Sequence, residues 1–344
     1  MAILTVVFNH GRRLLVDVFP GIKNIAMPNG VEIFFVLSGF LIGQIIFKKI
    51  EKGEFKTWRN LLHFWKFRWY RTLPNYFLVL FLTIALAYFH LNNQNIHFLD
   101  WKYFFFIQNF AIPMQAFFPE SWSLSVEEWF YILFPLALIF AFFAFKKYST
   151  KWVSFWVILL FIGIPIFLKI VAVYDAPFQS KYEWGNEIRK VVLLRLDSII
   201  IGVLFAWFKF YYIKKFVNWR IWLLVFGLLL NILNRVFFED FETGFTQWSY
   251  LVINGFAMAM LLPFFDSIKT GAGPIYKFFT YVSIVSYAMY VMHFSVVLGM
   301  LVKHVDVAQP LNAWASYAAY WVATILLSHV LYKYYEKPMT DLRK

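Results

Sequence analysis

The fold class this sequence predicts is all-α: a polytopic transmembrane bundle of about ten helices, the first of them apparently truncated. Three observations predict it. The 344 residues are 61% hydrophobic, well above the roughly 45–50% apolar usage of soluble domains. Apolar stretches recur at the length of about 20 residues that a hydrocarbon core of about 30 Å requires. Only 15% of residues are charged, yet the formal net charge is +13, so the basic excess is concentrated in a few short loops.

Taken in chain order, Met1–Asn9 is apolar but nine residues long. As a helix it covers about 14 Å, half of a span. It has neither the basic start nor the small-residue end of a cleaved signal peptide, so it reads as a helix whose beginning lies upstream of Met1. Nine fuller spans follow, over approximately 30–47, 72–91, 126–145, 152–174, 193–212, 220–237, 248–266, 280–302 and 312–335. The segment 101–112 is too short to cross and carries Lys102, Gln108 and Asn109, which suits a re-entrant or interfacial piece. No repeat or separate soluble domain interrupts the chain, so 1–344 is read as one domain.

The basic residues set the orientation. With Met1 on the cytoplasmic side and the segments alternating, 21 of the 32 Lys and Arg fall on that side, eight of them between Lys48 and Arg71. The positive-inside rule then predicts a multi-pass protein of a bacterial cytoplasmic membrane with both termini cytoplasmic. Loops rich in Lys and Arg face anionic lipid headgroups, and no nucleic-acid partner is expected. The chain has no cysteine, which excludes a disulfide framework, a Cys-ligated metal and a thiolate acyl-enzyme. No metal site is predicted.

Ionisable side chains in spans cost about 2.5–3.5 kcal/mol on insertion scales, so each is a functional candidate. His10 ends the first segment, Glu32 opens the second, Glu127 and Glu128 open the fourth, Arg195 and Asp197 the sixth, and His293 lies within the ninth. On the topology above, all of these except His293 belong to the outer half. Glu127 and Glu128 diverge by about 100° around a helix. Ser125 and Glu128 have the spacing of a capping box, which assigns Glu128 to the helix end and leaves Glu127 for chemistry. Ser283, Ser286, Tyr290 and His293 form one polar stripe, read either as interhelical hydrogen bonding or as the lining of a polar path.

Several strings, in order, carry a resemblance. They are Asn9-His10, GVEIFFVLSGFLI over 30–42 with Ser38 inside it, RWYR over 68–71, WSLSVEEWFY over 122–131, RLD over 195–197, SYAMYVMH over 286–293 and EKP over 336–338. Together they resemble the acyltransferase-3 family of bacterial membrane O-acyltransferases that modify surface sugars. The resemblance implies a cytoplasmic acyl-CoA donor, most often acetyl-CoA, and an acceptor hydroxyl outside, on a glycan or lipid-linked sugar. One departure stands out: the family pairs its histidine with an arginine eleven residues earlier, a position that here precedes Met1.

The chemistry so implied needs a base, for which a neutral imidazole is suited. His10 is expected to accept the hydroxyl proton or to carry the acyl group transiently, its ring oriented by Glu127 or Glu32. Arg68 and Arg71 are expected to bind the CoA phosphates at the cytoplasmic face. Ser38, Arg195, Asp197 and His293 complete the set as polar-path candidates. The competing reading is a transporter or flippase for a lipid-linked glycan, because polar residues in spans also mark translocation paths.

Overall fold

The computed structural model describes residues 1–343 apart from 26, 56, 175–176, 240, 242, 269–270 and 307. Lys56, Lys269 and Lys344, counted above among the basic residues, lie outside the described residues. The helices in order are α1 Ala2–Gly11, α2 Gly30–Glu51, α3 Trp58–Tyr88, α4 Ser121–Ala144, α5 Thr150–Tyr174, α6 Lys181–Glu187, α7 Leu196–Tyr211, α8 Ile213–Asn218, α9 Arg220–Glu239, α10 Gly244–Ser267 and α11 Gly273–Met292. A π-helical turn, His293–Leu298, joins α11 to α12, Gly299–His304. A second, Tyr332–Glu336, joins α13, Pro310–Leu331, to α14, Lys337–Asp341. Among the described residues there is no strand.

Eight of these rods are long and apolar enough to cross a membrane, which makes the chain a multi-pass membrane protein. α1, with 10 residues, and α7, with 16, complete the ten apolar segments read from the sequence. α7 is the inner helix: Leu196 through Val203 are all buried, as expected of a rod that is apolar all round. α9 buries only Gly227 and Asn234 and turns the rest of its apolar surface outward.

α2 lies directly against α7. A Cβ on Gly39 would fall on the carbonyl oxygen of Ile199, and one on Gly202 on that of Val36. Backbones meet this closely only where side chains are absent, the small-residue packing that holds helices together where lipid competes for apolar surface. Gly39 of the Leu-Ser-Gly-Phe string is therefore the point of contact, and the crossing fixes the height of Glu32 against Arg195.

Two helix starts differ from the sequence expectation. The capping box at Ser125 and Glu128 does not form, because α4 begins four residues earlier, at Ser121. Ser125 lies inside the helix, where its hydroxyl donates to the Ser121 carbonyl (3.2 Å) and accepts from Gln108 (2.7 Å). Glu128 accepts instead from Thr72 Oγ1 at 2.6 Å. α3 begins at Trp58 rather than near residue 72, so Arg68 and Arg71 sit well inside a helix.

The segment 101–112 folds as a 3₁₀ turn, Trp101–Phe105, followed by irregular chain laid against the start of α4. Gln108 donates to Ser121 and Ser125, and Asn109 donates to the carbonyls of Trp122 and Lys190. Non-helical backbone at this depth needs such protein partners. These bonds also tie the 188–195 loop to α4.

Candidate active site

A cavity of about 540 Å³ runs along one face of α2, from Val31 to Lys48. The 17 rises between those two residues correspond to about 25 Å of helix. Phe34, Leu37, Leu41 and Ile45 give it an apolar wall, Arg68, Arg71 and Thr72 enter from α3, and Ser283, Ser286, Tyr287 and Tyr290 from α11. Glu127, Ser123 and Tyr131 line it from α4.

Arg68, Arg71 and Glu127 thus share one cavity, where the sequence reading separates them onto opposite faces. The reason is helix length. α4 starts early enough to carry Glu127 about 9 Å below its first residue, and the long α3 lifts both arginines away from its own start. Tyr131 Oη donates to Glu127 at 3.3 Å and lies 3.1 Å from Ser38 Oγ. The Arg68 guanidinium sits 5.9 Å from the Tyr131 ring centroid, and its buried Nε has no hydrogen-bond partner.

At the end of the cavity nearest Val31, Tyr290 Oη lies 2.5 Å from Ser123 Oγ and also contacts the Glu120 carbonyl. One turn further along, His293 packs 5.7 Å from the Tyr290 ring, and its Nε2 lies 2.7 Å from Nδ1 of His10. The two imidazoles stack with centroids 5.0 Å apart.

The partners of His293 assign the protons. Its Nδ1 contacts the carbonyl oxygens of Tyr290 (2.7 Å) and Met289 (3.1 Å), which can only accept, so Nδ1 carries a hydrogen. In the neutral ring Nε2 then holds the lone pair. His10 Nδ1 must donate to it, which leaves the lone pair of His10 on Nε2. His10 is partly exposed, and its Nε2 has no hydrogen-bond partner among the described residues. That atom is a base or nucleophile held in one tautomer by a chain of bonds ending in two peptide carbonyls.

The ring is therefore oriented by His293, and neither Glu127 nor Glu32 is bonded to it. His293 owes its placement to the π-helical turn that begins there, a widening of the kind often found at functional sites. Glu120, buried just ahead of α4, clamps this turn: its carboxylate accepts from the Ser295 N–H (3.0 Å) and from Ser295 Oγ (2.6 Å). α1 is held by Tyr320, whose hydroxyl donates to the Val7 carbonyl at 3.0 Å.

Glu32 serves elsewhere. It pairs with Arg195, and Lys169 pairs with Asp197 at 2.5 Å; all four side chains are fully buried. Arg195 also donates to Ser198 Oγ at 3.0 Å. Two acids and two bases cancel within the contact of α2, α5 and α7, away from the cavity lining.

The family described as the acyltransferase domain matches residues 1–333. Similar proteins include the O-acetyltransferase OatA of Staphylococcus aureus strains NCTC 8325 and COL, each 25% identical over 351 residues, covering 90% of this chain and 52% of the relative. The Staphylococcus aureus strain COL sequence SACOL0978 is 26% identical over 343 residues with the same coverage. The chain thus spans about half the length of these relatives. No solved structure matches it.

Proposed function

The chain belongs to the acyltransferase-3 family, and from that premise we propose that it is a membrane O-acyltransferase moving an acetyl group from cytoplasmic acetyl-CoA to a hydroxyl of an extracytoplasmic glycan or lipid-linked sugar. One observation carries the reading. The cavity links a cationic end at Lys48, Arg68 and Arg71 to Ser123 and Tyr290, directly before the His293–His10 pair. On this reading Lys48 faces the cytoplasm of a bacterial inner membrane, as do both chain termini.

The residues suit the donor. The arginines match the diphosphate of CoA, for which a guanidinium is the preferred partner, and the apolar wall on α2 suits its uncharged arm. At the far end, the hydroxyls of Ser123 and Tyr290 are placed to meet a developing oxyanion. His10 Nε2 takes the proton of the acceptor hydroxyl as its oxygen bonds to the acyl carbon. The C–S bond then breaks, and the proton passes to the CoA thiolate. If the acyl group pauses on the enzyme, the same Nε2 lone pair attacks the acyl carbon as the C–S bond breaks and the CoA thiolate leaves; the acceptor oxygen then bonds to the acyl carbon as the N–acyl bond breaks, and its proton passes to the thiolate.

The test is transfer of labelled acetyl from acetyl-CoA, supplied on the Lys48 side of proteoliposomes, to glycans on the other side. Label in the glycan is the expected result. Sugar crossing the bilayer without gaining acetyl would replace the reading with that of a glycan flippase.

Arg68→Ala and Arg71→Ala test the donor end separately. Loss of one charge-assisted contact is worth about 1.5–3 kcal/mol, so acetyl-CoA affinity is expected to fall about tenfold to a hundredfold in each. Equilibrium binding of a non-hydrolysable acetyl-CoA analogue measures it. Unchanged affinity in both variants would return these arginines to an interfacial role.

A further inference from the structure

Beyond the cavity, at the His10 end, three cations meet that neither the ion pairs nor the donor site uses. We infer that Arg13, Arg189 and Lys190 form an anion site, which holds a carboxylate or phosphate group of the acyl acceptor beside His10. The inference rests on the acyl-transfer reading for the identity of the anion as part of the acceptor.

The placement is geometric. Arg13 lies just past α1, its guanidinium 5.4 Å from the Phe294 centroid, and that same ring meets His10 edge-on at 4.7 Å. Arg189 lies 5.6 Å from the Trp122 centroid, with its Nε buried and without a hydrogen-bond partner. Lys190 is fixed through its carbonyl, which accepts from Asn109 at 2.6 Å, while its ammonium donates to the neutral Asn186 at 2.8 Å. The fields of all three cations reach His10.

No ion pair among the described residues neutralises them. Among the described residues no carboxylate lies within ion-pair distance of any of the three. Glu32, whose field reaches Arg189, is already paired with Arg195. Burial brings Lys190 down to about 8, with the neighbouring charges of Arg189 and then Arg13 adding to it. On the orientation proposed above, the cluster lies on the side poorer in Lys and Arg, so charge that sets topology does not account for it. An anion bridging two guanidiniums and an ammonium does.

The full chain in nanodiscs of zwitterionic lipid provides the test. The probes are an oligosaccharide of glucuronic acid, its neutral glucose counterpart and a polyprenyl diphosphate sugar, with binding and acetyl transfer measured on each. The acidic probes are expected to bind at least about tenfold more tightly than the neutral one. Arg13→Gln with Lys190→Gln, the first exposed and the second partly buried, should erase that difference. Tight binding of the oligosaccharide would assign a sugar carboxylate, and tight binding of the lipid diphosphate alone a phosphate. The titratable and charged groups facing Lys190 are Arg189, Arg13 and His10, so the preference should fade as pH rises through about 8 and persist in Lys190→Arg.

Equal affinity for acidic and neutral probes would overturn the inference, as would a preference that survives the double substitution. Loss of the preference in anionic-lipid nanodiscs alone would make the cluster a headgroup contact and overturn it too. Acetyl transfer to neutral acceptors without charge preference removes the anion site and keeps the acyltransferase. Cation-dependent anion binding without any acetyl transfer removes the acyltransferase and keeps the anion site.

Discussion

Replacing His10 by alanine is expected to reduce acetyl transfer by about 10²–10⁴-fold, the contribution of a positioned general base, in a chain that still inserts and binds acetyl-CoA. Donor binding should persist because His10 is not among the residues lining the cavity. The stronger prediction concerns His293. Leucine there removes the acceptor that His10 Nδ1–H has among the described residues and frees the ring to adopt the tautomer in which Nε2 carries the proton and cannot serve as base. Activity should then fall toward the His10→Ala level, whereas His293→Gln, whose amide oxygen can accept the same hydrogen bond, should recover part of it. Residues that act as one unit are not additive. The double variant is therefore expected to be no worse than His10→Ala, and rates from vesicles of matched protein content measure it. Multiplying losses would mean that His293 acts independently of His10.

How much of this was legible in the sequence follows from which interactions are local. All ten apolar segments could be read because burial in lipid acts on each stretch of about 20 residues separately. The start of α4 could not. Ser121, Ser123 and Ser125 resemble a capping region, but their hydroxyls are engaged by Gln108 and Tyr290, partners brought in by the fold. Arg68 and Arg71 read as loop residues for a similar reason: as part of α3 both turn into the cavity, and Arg68 also lies over the Phe64 ring.

The site was legible as a set of residues and not as a set of pairs. His10 and His293 are 283 residues apart, and a carboxylate is the more usual companion of a catalytic imidazole, so Glu127 and Glu32 stood in its place. Lys169 carried a signal that was available, an ammonium in the apolar run 152–174, where charge is expensive. Glu120, Arg189 and Lys190 lie in polar connections, where charged residues are common and nothing local marks them.

The second large effect is expected at the ion-pair centre. Removing one member of a fully buried pair leaves its partner charged and unsolvated, at a cost of about 3–5 kcal/mol. Glu32→Ala should strand Arg195, whose remaining side-chain hydrogen bond among the described residues is to the Ser198 hydroxyl, beside the Phe35 ring. The same helix α2 lines the cavity along another part of its surface, so the variant should melt earlier in detergent and lose donor binding at the same time. Glu32→Leu with Arg195→Met removes both charges and replaces them with apolar volume. Such replacements are often neutral or stabilising in buried pairs, so the double variant should regain thermal stability and, with it, acetyl-CoA binding. The two roles are separated by that comparison. If the pair only supports the crossing, stability and transfer recover together. If stability recovers and transfer does not, Glu32 or Arg195 participates in the reaction, and the division between the structural centre and the His10–His293 site is wrong.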